Sequence, residues 1–222
     1  MAIALSDEDR DRIQAAVASA ETRTSGEIVA CLMSQSDRYG VAYLRAAVLC
    51  ASIAVLSILV VQRVNAGWSL GWLYASEAIV ALAVLAGLLG AAATAVWPAF
   101  RRAMSGSARL SRMTRLQAYR TFVNESVFAT ENRTGILLFV SEFERRVEVL
   151  ADVGINEVVA PDAWHEVVEL LVLRLREGRV VEGFEHAIRR CGAILHEQGV
   201  EVKPRDPDEL PDELRIRTRL DD

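Results

Sequence analysis

Two long stretches of this 222-residue chain carry no charged side chain, and they limit what it can fold into more than any other feature. The first runs from Ala46 to Gln62, between Arg45 and Arg63. The second covers 78–100, between Glu77 and the pair Arg101/Arg102. At ~1.5 Å per helical residue they reach roughly 25 Å and roughly 35 Å, which brackets the hydrocarbon core of a bilayer. Helices in soluble cores seldom run so far without a charge, so the pattern predicts two membrane spans, at about 46–62 and 78–100. Gly67, Trp68, Gly71, Trp72 and Tyr74 lie between them and Trp97 closes the second run, which suits the aromatic belt of a membrane interface.

Arginine placement gives the expected orientation. Arg101, Arg102, Arg109, Arg112, Arg115 and Arg120 follow the second run with no acid among them, and Arg38 and Arg45 precede the first. The connection at 63–77 offers only Arg63. The positive-inside rule then places both flanks in the cytoplasm and the connection outside, as an integral inner (plasma) membrane protein with two spans. The N-terminal stretch holds Asp7, Glu8, Asp9, Arg10, Asp11 and Arg12 and no apolar core, so it is not a signal peptide. Gly87, Gly90, Ala91 and Thr94 permit close helix packing, either within the hairpin or in a homo-oligomer.

The formal net charge of −5 hides a polarity: residues 34–120 carry +7, while 1–33 carry −3 and 121–222 carry −9. Basic charge therefore sits beside the apolar runs and not on the flanks, which argues against a nucleic-acid partner. Headgroup contact explains it. Cys31, Cys50 and Cys191 are far apart and read as buried thiols. His165, His186 and His196 show no zinc spacing, and no phosphate-binding loop, dinucleotide turn or nucleophile elbow is present.

The flanks look incomplete apart and complete together. Ser6 opens an S-x-x-D pattern that predicts a helix over about 7–23, and Gly26-Glu27-Ile28-Val29-Ala30-Cys31-Leu32 reads as a short strand. Residues 109–125 read as a helix with Leu110, Met113, Leu116, Tyr119, Phe122 and Val123 near one side. The apolar run 135–140 reads as a strand covered on both faces, returning through a charged turn with Glu142 and Glu144 into 145–150. Trp164, Val167, Val168, Leu171 and Leu175 mark one closing helix, and Val181, Phe184, Ile188, Cys191 and Leu195 mark another. The expected organisation is a first part at 1–40, a transmembrane hairpin at 41–102, the remainder at 103–199 and a mobile charged tail at 200–222 with Pro204, Pro207 and Pro211. The strand at 26–32 is expected to pair with that at 136–140.

The stretch Arg133-Thr134-Gly135-Ile136-Leu137-Leu138-Phe139-Val140, followed by 144–155, resembles the TPM domain family. This family includes thylakoid-lumen proteins of photosystem II repair and many bacterial membrane-associated proteins. Ser25-Gly26-Glu27-Ile28 is similar to its first strand, and Trp164 with 178–187 to its closing helices. The resemblance covers about 1–33 and 109–199. It implies an α/β fold, a small three-layer α/β/α sandwich with a mixed sheet, here interrupted by an inserted two-helix transmembrane hairpin. Some relatives bind calcium and show weak acid phosphatase activity, and the resemblance implies these as expectations. The chain departs from better-known members in lacking a secretory signal and in having Asp152-Val153-Gly154 where many have a glycine-tyrosine-glycine turn.

Asp152 is the foremost polar candidate, either projecting from a strand end toward a ligand or capping a short helix beside Gly154. Glu27 either converges with Asp152 on a calcium or magnesium ion, or forms a solvated strand end or an ion pair with Arg133. Arg133, Thr134 and Gly135 either bind an anion through backbone N–H groups or shape the turn into the strand. Glu142, Glu144 and Glu148 read as a charged hairpin rim. No catalytic machinery is legible. The expected function is a membrane-anchored interaction or adaptor module, in membrane protein assembly or quality control, whose partners are the lipid bilayer and another membrane protein. The alternative is a weak metal-dependent phosphatase. A transporter role is opposed by the lack of charge within the spans.

Overall fold

The computed structural model describes residues 5–64, 75–200 and 209–217. The aromatic-rich connection at 65–74, with Gly67, Trp68, Gly71, Trp72 and Tyr74, lies outside the described residues, as do 201–208 and 218–222 of the C-terminal stretch. The chain forms two compact units, residues 1–37 together with 111–222, and residues 38–110.

The first unit is mixed α/β. Helix α1 (Asp7–Glu21) starts at Ser6 through a capping box. Asp9 N–H donates to Ser6 Oγ at 3.2 Å, and Ser6 N–H donates to Asp9 Oδ2 at 3.0 Å. This satisfies two of the helix's orphan donors. Strand β1 (Glu27–Met33) follows, then, after the second unit, the long helix α5 (Ser107–Asn124), β2 (Gly135–Ser141), β3 (Arg146–Ala151) and the single turn α6 (Val153–Asn156). Helices α7 (Trp164–Arg176) and α8 (Val180–Glu197) complete the order, with β4 (Arg215–Arg217) at the end.

These strands make one sheet in the order β3-β2-β1-β4. Strands β1 and β2 pair in parallel, Glu27 opposite Gly135 through Met33 opposite Ser141, although about a hundred residues separate them. Both are buried along their whole length, which is why they read as unbroken apolar runs. One face carries Ile28, Ala30, Leu32, Ile136, Leu138 and Val140 against residues such as Ile13, Val17, Leu171, Phe184 and Ile188 of α1, α7 and α8. The other carries Val29, Cys31, Met33, Leu137 and Phe139 against Ala118 of α5 and Val127. Each large apolar side chain so buried contributes about 1.5–3 kcal/mol before entropy is counted.

Two sequence expectations change. The 200–222 stretch is not a tail throughout, since Arg215–Arg217 pairs in parallel with Cys31–Met33 as an edge strand. Leu214 enters the core, and Glu125 receives Arg215 Nε at 3.0 Å and also pairs with Arg217. In α5 Leu110 is buried and Phe122 packs on the core as expected, but Thr114, Gln117, Ala118 and Thr121 are buried too, while Leu116, Tyr119 and Val123 are exposed.

In the second unit, α2 (Gly40–Val64) and α3 (Ser76–Val96) pack together, and α4 (Pro98–Ser105) follows. Helix α3 ends earlier than the apolar run because Pro98 cannot continue it and instead opens α4. Gly87, Gly90 and Thr94 face α2. A Cβ on Gly90 would lie 2.8 Å from Ala46 O and 2.6 Å from Cys50 Sγ, so only glycine permits this approach. The small residues are thus engaged inside the helix pair. Arg45 donates to Met104 O at 3.1 Å and Ser105 O at 3.0 Å, satisfying the last carbonyls of α4.

Candidate functional site

The predicted site residues gather at one end of the sheet, where β1 and β2 begin and β3 ends. Glu27 lies opposite Gly135, and Asp152 N–H donates to Gly135 O at 2.9 Å, so Gly135 stands between the two carboxylate residues. Two strand spacings put their backbones roughly 10 Å apart.

Asp152 is 4% exposed and does two things. Its Oδ1 accepts from Val153 N–H at 2.8 Å as the N-cap of α6. It also pairs with Arg133, whose Nη2 donates to Oδ1 at 3.0 Å and whose Nε lies 2.7 Å from Oδ2. Arg133 is therefore the partner of Asp152, not of Glu27, and its guanidinium also lies over the Phe128 ring.

Arg133 adopts φ +56°, and its carbonyl accepts from Gly154 N–H at 3.0 Å. A Cβ on Gly154 would come 2.4 Å from Asn132 O, and one on Gly135 would come 1.9 Å from Val127 O. Both glycines are explained by backbone approach. Thr134 is tied through its N–H to Thr130 Oγ1 and through its own Oγ1 to Ser25 O. Arg133, Thr134, Gly135, Asp152 and Gly154 are brought together as one corner, and the amides of residues 133, 134, 152, 153 and 154 all donate within it or to neighbouring Thr130.

Glu27 belongs to a different cluster, which the sequence did not announce. Its Oε2 accepts from Leu210 N–H at 3.2 Å, and neighbouring Glu21 accepts from Ile28 N–H at 2.8 Å. Burial pushes Glu21 up to about 9, against the Ile28 hydrogen bond; the nearby charges of Glu27 and Asp212 and a hydrogen bond with Asp212 raise it further. Glu21 is thus protonated at neutral pH. Among the described residues no group of three or more His, Cys, Asp or Glu side chains is arranged to hold a metal ion. Glu27 and Asp152 are engaged with separate partners across an intervening strand. The donor set does not fit the calcium or magnesium that the family resemblance implies.

At the opposite end of the sheet Glu144 is not a hairpin rim. It is 4% exposed and accepts from Ser36 N–H at 2.8 Å and from the Ser141 hydroxyl, which in turn lies 2.8 Å from Ser36 Oγ. The thiols of Cys31 and Cys191 are pushed up to about 12 by burial, which makes them poor nucleophiles.

A groove of about 560 Å³ runs along β3. Helix α5 supplies Arg115, Tyr119 and Phe122 to one wall, and α7 supplies Trp164, His165 and Val168 to the other. Glu148 is raised above the ordinary carboxylate range because burial outweighs the nearby Arg115 and Arg146. Periodicity does not announce this groove, because Trp164 and Val168 read simply as core positions.

No protein-family model and no curated protein matches this chain. Its fold is similar to the NMR structure of the BA42 protein from the psychrophilic bacterium Bizionia argentinensis. The TM-score is 0.57 and the identity 19%, over 96% of this chain and 94% of that one. At this identity the likeness concerns the fold.

Proposed function

We propose that this protein is a membrane-anchored, TPM-like interaction or adaptor module, acting on another membrane protein during its assembly or quality control. In this reading α2 and α3 are two spans of the inner (plasma) membrane, inserted into a three-layer α/β/α sandwich, with both termini cytoplasmic.

The observation that carries the reading is the exposure of α2 and α3. Only 11% and 17% of their most apolar windows is buried. Leu44, Val48, Ile53, Leu56, Val60, Val84, Leu88 and Leu89 are all exposed. A helix serving as a soluble core would hide such residues, and an exposed apolar surface of this size calls for lipid. At ~1.5 Å per residue the helices reach roughly 38 Å and roughly 32 Å, enough to cross with some tilt. Arg38, Arg45, Arg101, Arg102 and Arg109 favour a cytoplasmic placement of the adjoining ends. Docking needs only a surface and an anchor, and the α/β unit supports this with an open groove.

The test is isolation of the full-length chain from membranes in mild detergent, with quantitative mass spectrometry. A parallel sample carries an unrelated two-span hairpin in place of 41–102. The reading expects the same stoichiometric membrane protein with both chains. Loss of all stoichiometric partners from both samples would overturn it.

A further inference from the structure

Strand β3 is an outer strand of the sheet, and the hydrogen-bond pattern fixes what it offers. Asp152 N–H bonds to Gly135 O, so residues 152 and 135 form a hydrogen-bonded pair of the antiparallel β2–β3 ladder. Such pairs alternate. Leu150, Glu148 and Arg146 therefore direct their N–H and C=O groups toward Leu137, Phe139 and Ser141. Val147, Val149 and Ala151 direct theirs outward. Ala151 O is taken by Asn156 Nδ2 at 2.6 Å. Among the described residues the outward N–H groups of 147, 149 and 151 and the outward carbonyls of 147 and 149 have no partner.

From this we infer that the β3 edge is a strand-addition site, taking an extended segment of a partner protein in which apolar and acidic residues alternate. The inference rests on the reading of the protein as an interaction module and names the chemistry of its partner.

The groove's two walls differ, and they set the alternation of the guest. Val147 and Val149 share the sheet face that packs against α7, beside Trp164 and Val168. Guest side chains on that face meet apolar surface. On the α5 face the groove is lined by Glu148 and Leu150 with Arg115 and Tyr119, and Arg146 stands near the same Glu148, which gathers arginine charge here in a unit that is otherwise acidic. Guest residues there are matched by carboxylates.

The Trp164 indole N–H gives an independent pointer. Trp164 is 7% exposed and lines the groove, and its Nε1 has no acceptor among the described residues. Buried indole donors ordinarily find an acceptor. A guest backbone carbonyl supplies one.

The two edges of the sheet are also treated differently. On one side the outermost strand, β4, is only three residues long, the usual way to blunt an edge, whereas β3 has six residues, no proline and no bulge. A second copy is the poorer occupant, because its β3 would bring its own arginines and flanking helices into the same space.

The experiment uses the full chain in nanodiscs and a fluorescein-labelled octapeptide alternating valine and glutamate. Its controls are a valine–lysine octapeptide and the valine–glutamate peptide N-methylated on the amides that would face β3. Binding is read by anisotropy, and edge occupancy by hydrogen exchange of 146–151. The inference expects saturable binding of the valine–glutamate peptide alone and at least tenfold slower exchange at Val147 and Val149. It expects at least tenfold weaker binding with Arg115→Glu, a change on an exposed helix surface that leaves the fold intact. Val149→Pro, which removes one outward donor, is expected to abolish binding.

Equal binding of the methylated or lysine peptides would overturn it, as would no binding at millimolar peptide. Exchange already slowed by self-association in the absence of peptide would also overturn it. If Arg115→Glu and Val149→Pro still capture the membrane partner described above, the adaptor reading stands and this site falls.

Discussion

Glu144 Oε1 accepts a 2.8 Å hydrogen bond from the Ser36 amide, joining the end of the β2–β3 turn to the loop that leaves β1. The same carboxylate holds the Ser141 hydroxyl. All three residues are buried, so removing the carboxylate strands the Ser36 amide donor out of reach of water and leaves the Ser141 hydroxyl with Ser36 Oγ alone. Glu144→Ala is expected to cost about 2–4 kcal/mol, and Glu144→Gln less, because an amide oxygen can still accept one of the bonds. Urea denaturation of the detergent-solubilised protein checks the order; equal stability of Glu144→Ala and the parent would contradict it.

Glu21 gives a pH dependence of definite sign. Its folded-state value lies near 9 against an ordinary 4.5, so between these limits the folded state holds a proton that the unfolded chain releases. Stability from this group therefore falls as pH rises from about 5 to about 9. Glu21→Gln is expected to flatten that decline and to be more stable than the parent at pH 8 by about 1 kcal/mol or more. Melting temperatures at pH 5, 7 and 9 check it, and parallel curves for parent and variant would contradict it.

Glu125 behaves in the opposite sense. Burial works against its ionisation, but hydrogen bonds and attraction from Arg217 and Arg215 prevail and hold it below the usual carboxylate range. Its contribution is present above the unfolded value and is lost as pH falls through the lower folded one. Glu125→Gln is expected to cost about 1–2 kcal/mol and to speed exchange of the β4 amides and of the β1 amides beside them. Unchanged exchange at Cys31–Met33 would show that β4 is held by something else.

Asp152 is read as a cap and ion-pair partner. Asp152→Ala is expected to cost about 1–2 kcal/mol from the lost cap and the uncoupled Arg133. Thermal unfolding in chelator, calcium or magnesium is expected to show no shift. A selective ligand at one hundred times its dissociation constant would add about 2.7 kcal/mol, so a metal-dependent rise abolished by Glu27→Gln or Asp152→Asn would contradict the corner reading.

Much of the sheet was legible because burial leaves a plain mark. Strands covered on both faces become continuous apolar runs, as in 135–140, and the capping box at Ser6 and Asp9 is written in adjacent residues. That β1 pairs with β2 was legible from the incompleteness of each flank, while the parallel direction came from the structure. What escaped depends on partners remote in sequence. Arg215–Arg217 looks like tail because a three-residue edge strand needs no apolar run, and its arginines are answered by Glu125 ninety residues away.

The α5 face was legible only in part. Periodicity finds large apolar residues, and Leu110 and Phe122 are indeed covered, but it passes over the buried Thr114, Gln117, Ala118 and Thr121. At the candidate site the sequence placed Asp152 and its cap correctly among the alternatives. It assigned Arg133 to the wrong carboxylate, because only the return of β3 brings Asp152 beside it. The cluster of Glu21 with Asp212 has no local signature at all.

The central claim is that α2 and α3 cross the membrane and return the chain to the cytoplasmic side, where the flanks build the docking unit. Paired reporter fusions test it most directly, one inserted at Gly67 and one after Gly199, each read with a reporter active only in the cytoplasm and one active only after export. The account predicts cytoplasmic activity after Gly199 and exported activity at Gly67, in protein that remains with the membrane after alkaline extraction. Exported activity after Gly199, or release of the protein by alkali, would contradict it.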